Sequence, residues 1–265
     1  MKWILITGEN GYVANRFAAF LAERSEEYRT AFLNLRDDSW RRKDFSQYDV
    51  VVHAAALVHQ KETPENAAEY YKVNRDLTLE LARKAKAEGV SQFLFLSTGS
   101  VYGLTEGIIT KDTAPHPVTN YGKSKLQAEE ALVPLHEEHF LVAILRPLMV
   151  YGDGCKGNYR SLEKLARITP VLPNYANRRS LVSIENLCRQ MLDIISDSGW
   201  GYYFPHDPED VCTCELIGRI AEAHGRNLKR LKMLNPAVSV LRKMTTVGKK
   251  AFGNLVYQDL EYLPF

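Results

Sequence analysis

Short uninterrupted apolar runs recur through the first half of the chain, separated by stretches where apolar residues return every three or four positions. The runs predict strands over residues 3–7, 30–35, 50–54, 93–97 and 140–146. The spaced pattern predicts a helix over 11–23, where Val13, Phe17, Phe20 and Leu21 share a face. Two more follow, over 70–88, closed by Gly89, and over 121–133, which Pro134 disturbs. Continuously apolar strands alternating with helices imply parallel strands covered on both faces and joined by right-handed crossovers. The fold class is therefore α/β, a Rossmann-type doubly wound parallel sheet. After about Tyr151 the pattern becomes mixed and is interrupted by Pro170, Pro173, Pro205, Pro208 and Pro236. The expected division is a sheet domain over residues 1–150 and a smaller C-terminal lobe over 151–265, interleaved with it in space.

The first strand runs into Thr7-Gly8-Glu9-Asn10-Gly11-Tyr12-Val13-Ala14. Gly8 suits a tight turn, Gly11 lets backbone approach a pyrophosphate, and Ala14 allows close helix–strand packing. The helix that follows would present free N–H groups to phosphate. Between a strand and an amphipathic helix, this pattern points to a dinucleotide site and makes 1–150 an NAD(P)-binding domain. The second strand ends at Asn34-Leu35-Arg36-Asp37. An NAD site wants a carboxylate for the ribose hydroxyls there, and an NADP site wants a cation for the extra phosphate. Asn34 stands where the carboxylate is expected and Arg36 follows, which favours NADP(H), with NAD(H) as the alternative through Asp37. The small residues of His53-Ala54-Ala55-Ala56 would let a flat cofactor lie against the third strand, and Asn74 could support the catalytic loop by hydrogen bonds.

Tyr121 and Lys125 form a Y-x-x-x-K pair, which shares one helix face. A neighbouring ammonium and a cationic nicotinamide ring would lower the phenol pKa from its usual value of about 10, so that Tyr121 could exchange a proton near neutrality. Ser97-Thr98-Gly99-Ser100-Val101-Tyr102-Gly103 stands directly after an apolar strand, where ligands of open α/β sheets bind.

Together these segments resemble the extended short-chain dehydrogenase/reductase superfamily, in its NAD-dependent epimerase/dehydratase branch. The resemblance covers most of the chain and includes Arg146-Pro147-Leu148-Met149-Val150-Tyr151-Gly152. It implies Thr98, Tyr121 and Lys125 as the catalytic set. It implies cofactor contacts from Gly8, Asn10, Gly11, Tyr12, Val13, Arg36, His53, Ala54, Ala55, Ala56, Asn74, Tyr121, Lys125, Arg146 and Pro147. Substrate contacts would come from Thr98, Ser100, Val101, Tyr121, Asn158 and Arg179, with Arg179 suited to a diphosphate, and 151–265 would be the substrate-binding lobe. The branch's 4,6-dehydratases carry Asp-Glu after the catalytic threonine, whereas Gly99-Ser100 stands here, which argues against dehydration. The expected reaction is NADPH-dependent reduction of the 4-ketone of a UDP-4-keto-6-deoxy-N-acetylhexosamine, as in bacterial capsule and O-antigen synthesis. The alternative is an NAD-dependent UDP-sugar 4-epimerase. A non-enzymatic NADP-binding regulator is a weaker reading, because such relatives usually lack the tyrosine or lysine. A homodimer through residues 70–88 and 121–133 follows from the same resemblance.

Composition narrows the classes further. The 265 residues carry a formal net charge of +2, which gives no bias toward nucleic acid. No apolar run suggests a transmembrane segment or signal peptide, so a cytoplasmic protein is expected. The four cysteines, Cys155, Cys188, Cys212 and Cys214, make no zinc or disulfide pattern, and His136-Glu137-Glu138-His139 lacks the zinc-protease spacing; no metal is expected. The basic stretch over residues 226–250, interleaved with Leu, Val and Met, is a candidate for weak association with a membrane surface.

Overall fold

The computed structural model describes all residues except His59 and Lys156, and leaves the side chain of Asn158 undescribed. The chain begins β1 (Lys2–Thr7), α1 (Tyr12–Ala22), β2 (Tyr28–Leu33) and β3 (Val50–His53). It continues through α2 (Ala67–Tyr71), α3 (Leu77–Ala87), β4 (Gln92–Leu96), β5 (Gly107–Ile109), α4 (Asn120–Leu132) and β6 (Leu141–Leu145). The C-terminal part holds β7 (Val150–Tyr151), α5 (Asn158–Ile168), β8 (Val171–Pro173), β9 (Val182–Ser183), α6 (Ile184–Ser196) and β10 (Gly201–Tyr203). It closes with α7 (Thr213–Ala223), β11 (Lys229–Leu231), α8 (Asn235–Met244), α9 (Thr246–Phe252), β12 (Leu255–Tyr257) and β13 (Tyr262–Leu263).

A seven-stranded sheet runs in the order β13-β10-β6-β4-β3-β1-β2. It is parallel throughout except for β13, which pairs antiparallel with β10. Each central strand feeds two cores by its period of two. Ile4 and Ile6 of β1, Val50 and Val52 of β3 and Leu94 of β4 join α1 and α6 on one face. Leu5, Val51, Phe93 and Phe95 join α3, α4, Trp40 and Phe45 on the other. Both faces are covered, which explains why these strands read as unbroken apolar runs rather than alternating ones. The chain beyond residue 150 contributes α6, β10 and β13 to this assembly. A separate cluster between α5 and α7, with Leu172, Leu181, Ile217 and Ile220, forms the core of the remaining lobe.

The helix expected over 70–88 is not continuous. A π turn over Lys72–Asp76 separates α2 from α3. The widened turn brings Asn74 inward, where its side chain is buried. Pro134 ends α4 in a short 3₁₀ turn over Val133–Leu135.

Candidate active site

Adjacent β1 and β3 send their connections in opposite directions across the sheet, and a cleft of 1460 Å³ opens at the carboxyl ends of these strands, β4 and β6. That volume exceeds the roughly 300–1,000 Å³ of an ordinary small-molecule pocket, leaving room for a dinucleotide and a second ligand.

One end is built from bare backbone. Gly8 has φ +87°, and a Cβ there would lie 3.0 Å from the Ala55 nitrogen. A Cβ on Gly11 would lie 2.9 Å from the Gly8 oxygen, which accepts from the Gly11 amide at 2.6 Å. Gly11, Tyr12, Val13 and Ala14 line the cleft. α1 has no side-chain cap and no acid in its first turn, so its positive end is available to an anion. Asn34 and Arg36 line the cleft beyond β2. The Asn34 side chain accepts from the Arg36 amide at 2.9 Å, and the Asp37 carboxylate is engaged by the Ser39 amide and hydroxyl. Arg36 is exposed and makes no ion pair among the described residues, whereas Arg41 nearby is bound to Glu80 and Asp38.

At the other end Thr98, Ser100 and Tyr121 face the same space. Thr98 caps the 3₁₀ turn over Gly99–Tyr102, accepting from the Ser100 amide at 3.1 Å. The start of α4 is held from three sides. Glu62 accepts from the amides of Asn120 and Tyr121 at 2.8 and 3.0 Å, as favoured at a helix N-terminus. Thr119 caps Gly122 at 3.0 Å, and the Tyr71 hydroxyl donates to Asn120 Oδ1 at 3.1 Å. A Cβ on Gly122 would lie 2.7 Å from the Ser100 carbonyl oxygen, so only glycine lets α4 rest directly on the Thr98 turn. This contact sets Tyr121 on the same wall of the cleft as Thr98.

Lys125 is 1% exposed, lies 4.0 Å over the Phe95 ring, and its Nζ has no hydrogen-bond partner among the described residues. Burial pushes its pKa down to about 7, with Glu129 pulling it back up. Burial likewise drives Tyr121 up to about 12, against the Thr98 hydrogen bond. The phenol is therefore raised in the protein alone, and the acidification expected from the lysine and the nicotinamide ring together would need the bound cofactor. The bare glycine turn fits a nicotinamide dinucleotide, and the orphaned donors of Lys125 lie buried behind the cleft lining rather than on it. The turn would take the pyrophosphate.

Residues 4–192 match the NAD dependent epimerase/dehydratase family. The chain belongs to this family. Among relatives, it is 33% identical over 251 residues to a UDP-glucose 4-epimerase of Vibrio cholerae, covering 84% of this chain and 76% of that protein. It is 24% identical over 274 residues to the N-acetyl-alpha-D-glucosaminyl-diphospho-ditrans,octacis-undecaprenol 4-epimerase of Escherichia coli O157:H7, covering 93% and 81% of the two chains. The fold is shared with UDP-glucuronic acid 4-epimerase from Bacillus cereus in complex with NAD, at a TM-score of 0.72 and 19% identity over 99% of this chain and 93% of the other.

Within this family member, several residues expected at the ligand lie elsewhere. His53 is buried beneath the cleft, its ring nitrogens 2.8 and 2.9 Å from the hydroxyls of Thr7 and Thr78; β3 ends with this side chain pointing into the helix layer, and the wall begins at Ala54. Asn74 supports the wall from behind: it pairs with both backbone groups of Leu57, at 2.8 and 3.1 Å, and with Ser124 Oγ at 3.1 Å. Val101 is fully buried with Tyr102, Ile109 and Phe204, because the 3₁₀ turn sends it inward while Ser100 faces out. Arg146 is drawn under the sheet end by Glu129 at 2.5 Å and the Tyr102 hydroxyl at 2.9 Å, leaving Pro147 to line the cleft. Arg179 lies outside the cleft lining, held against the Gly253 carbonyl oxygen at 3.1 Å in the bridge between Val211 and Leu255. The side chain of Asn158 lies outside the described residues. Glu62, Gly122 and the Glu129–Arg146 pair were not singled out from the sequence. Glu129 had a usable signal, since it continues the buried face of Tyr121 and Lys125 at four-residue steps.

Proposed function

We propose that the protein reduces the 4-ketone of a nucleotide-linked sugar with NADPH, the substrate being of the UDP-4-keto-6-deoxy-N-acetylhexosamine class used in surface polysaccharides. The juxtaposition of Thr98 and Tyr121 in one cleft with the glycine turn carries the reading that hydride chemistry occurs here. Arg36, exposed at the cleft and free of ion pairs among the described residues, supports NADP(H). A bound nicotinamide supplies or accepts the hydride. Thr98 donates a hydrogen bond to the sugar oxygen as charge develops. Tyr121 delivers a proton to that oxygen, and Lys125, once its donors are matched and its charge restored, stabilises the phenolate left behind. Enclosure of the lysine keeps its field undiluted by water.

The same residues would run an epimerase, in which the sugar is oxidised and then reduced on its other face. The named activity of the Vibrio cholerae relative favours that second reading. Mixing purified protein with NADPH and the 4-keto sugar separates the two. Stoichiometric loss of NADPH absorbance with a new UDP-deoxysugar is the expected result. UDP-sugar interconversion without net NADPH consumption, with NAD retained through purification, would assign the epimerase instead.

A further inference from the structure

The lobe ends in a helical corner that no part of the cleft uses. From residue 226 to residue 254 the chain carries eight cations, from Arg226 to Lys250, and no carboxylate. α8 and α9 lie within this stretch and meet at Thr245. Thr245 fixes the corner in both directions: its hydroxyl donates to the Leu241 carbonyl oxygen at 2.9 Å and accepts from the Gly248 amide at 2.9 Å. Val238 of α8 is buried, while other apolar side chains of this stretch are exposed. Met233 is 80% exposed, Met244 78%, Val247 73% and Val240 55%. Lys232, Lys243 and Lys250 are exposed among them and make no ion pairs among the described residues.

Four large apolar side chains left exposed within fifteen residues, three of them on α8 and α9, point to an interaction site rather than ordinary surface. Arg230 and Arg242 have Glu215 and Glu106 at 3.8 Å, so it is the unpaired lysines of the stretch that select an anionic occupant. A second copy of the chain is a poor match, since a two-fold contact would bring the same lysines together. The exposed cluster offers Met and Val rather than the aromatic and arginine anchors typical of protein hot spots. Aliphatic side chains ringed by lysines do match the boundary between acyl chains and anionic headgroups. We propose that the α8–α9 corner docks the protein on an anionic lipid surface, with Met233, Val240, Met244 and Val247 entering the headgroup layer and the lysines pairing with lipid phosphates. The proposal does not depend on which sugar the cleft accepts.

Co-sedimentation of the full chain with vesicles tests it. Partitioning onto phosphatidylcholine vesicles containing phosphatidylglycerol should exceed that onto pure phosphatidylcholine by about tenfold or more, and should weaken at high salt. Two triple variants, M233S/M244S/V247S and K232Q/K243Q/K250Q, should each lose most of the binding while keeping the wild-type circular dichroism and turnover of soluble substrate. Absence of vesicle binding, equal binding to both vesicle types, or full binding by either variant would overturn the proposal. So would a wild-type dimer that the apolar variant converts to monomer, or binding to polyglutamate without binding to vesicles; these would assign the corner to a second copy or to an acidic protein.

Discussion

Lys125 shows how a functional residue can work against the fold that holds it. Its side chain is enclosed over the Phe95 ring without a hydrogen-bond partner among the described residues, and burial pushes it to about 7 against the pull of Glu129. The unfolded chain holds its proton up to about 10.4, so between these values the unfolded state binds more protons and stability rises with pH. The Lys125→Met variant should therefore unfold at a higher temperature than wild type near pH 7, with the gap closing as the pH approaches 10. Turnover should fall by a factor of about 10² or more, from loss of the charge that supports Tyr121. Thermal melts across that pH range provide the check; a variant less stable than wild type at pH 7 would show that the lysine has an acceptor in solution. Tyr121, raised to about 12 by burial, belongs to the same balance, and Tyr121→Phe should abolish turnover while leaving cofactor binding largely intact, as fluorescence titration with NADPH would report.

At the scale of elements, catalysis depends on how closely α4 approaches the turn after β4. Gly122→Ala places a methyl group 2.7 Å from the Ser100 carbonyl oxygen, and backbone cannot yield there as a side chain could. The expected cost is about 1–3 kcal/mol of stability, with a larger proportional loss in kcat than in affinity for cofactor, because Tyr121 is displaced from Thr98 while the glycine turn is untouched. Equal losses in both would mean that the whole sheet end had shifted. His53 ties three elements, β3 through its backbone and β1 and α3 through its ring. Burial holds its pKa down to about 3. The unfolded state takes up this proton below about 6.5 and the native state does not, so stability is intact above 6.5 and falls by about 1.4 kcal/mol per pH unit below it. Chemical denaturation between pH 6.5 and 4.5 should show a shallower slope for His53→Gln; parallel slopes would place the acid sensitivity elsewhere.

For the molecule as a whole, the buried Glu129–Arg146 pair joins α4 to β6, and through Ser97 and Tyr102 to the segment after β4. Removing one partner leaves the other charge unpaired in the interior, so Glu129→Met and Arg146→Met should each cost about 3–5 kcal/mol. The double variant E129M/R146M should recover much of that loss. A double-mutant cycle by urea unfolding measures the coupling, and additive losses would show that the pair is not a unit. The sheet gains β10, and one of its two helix layers gains α6, only after the C-terminal lobe has begun. Cutting the chain near residue 150 would therefore remove β10 and β13 from the sheet and α6 from its core.

What the sequence determined by itself was everything encoded over short distances. Apolar runs and helical spacing marked the strands and helices, because period follows directly from backbone geometry. Gly8, Gly11, Tyr121 and Lys125 were legible because a tight phosphate turn and an i, i+4 pair are local patterns. The tertiary structure alone decided which side chains reach the cleft. His53 and Arg146 neighbour lining residues in sequence yet turn away from the cleft, since successive residues at a strand end face opposite sides, and the 3₁₀ turn over Gly99–Tyr102 sends Val101 inward. Glu62 reaches the start of α4 across fifty-eight positions of chain, and no local pattern reports such a contact. Strand order, the antiparallel β13 and the docking of α6 were settled the same way: several arrangements satisfy the same hydrophobic pattern, and only close packing of the whole chain selects among them.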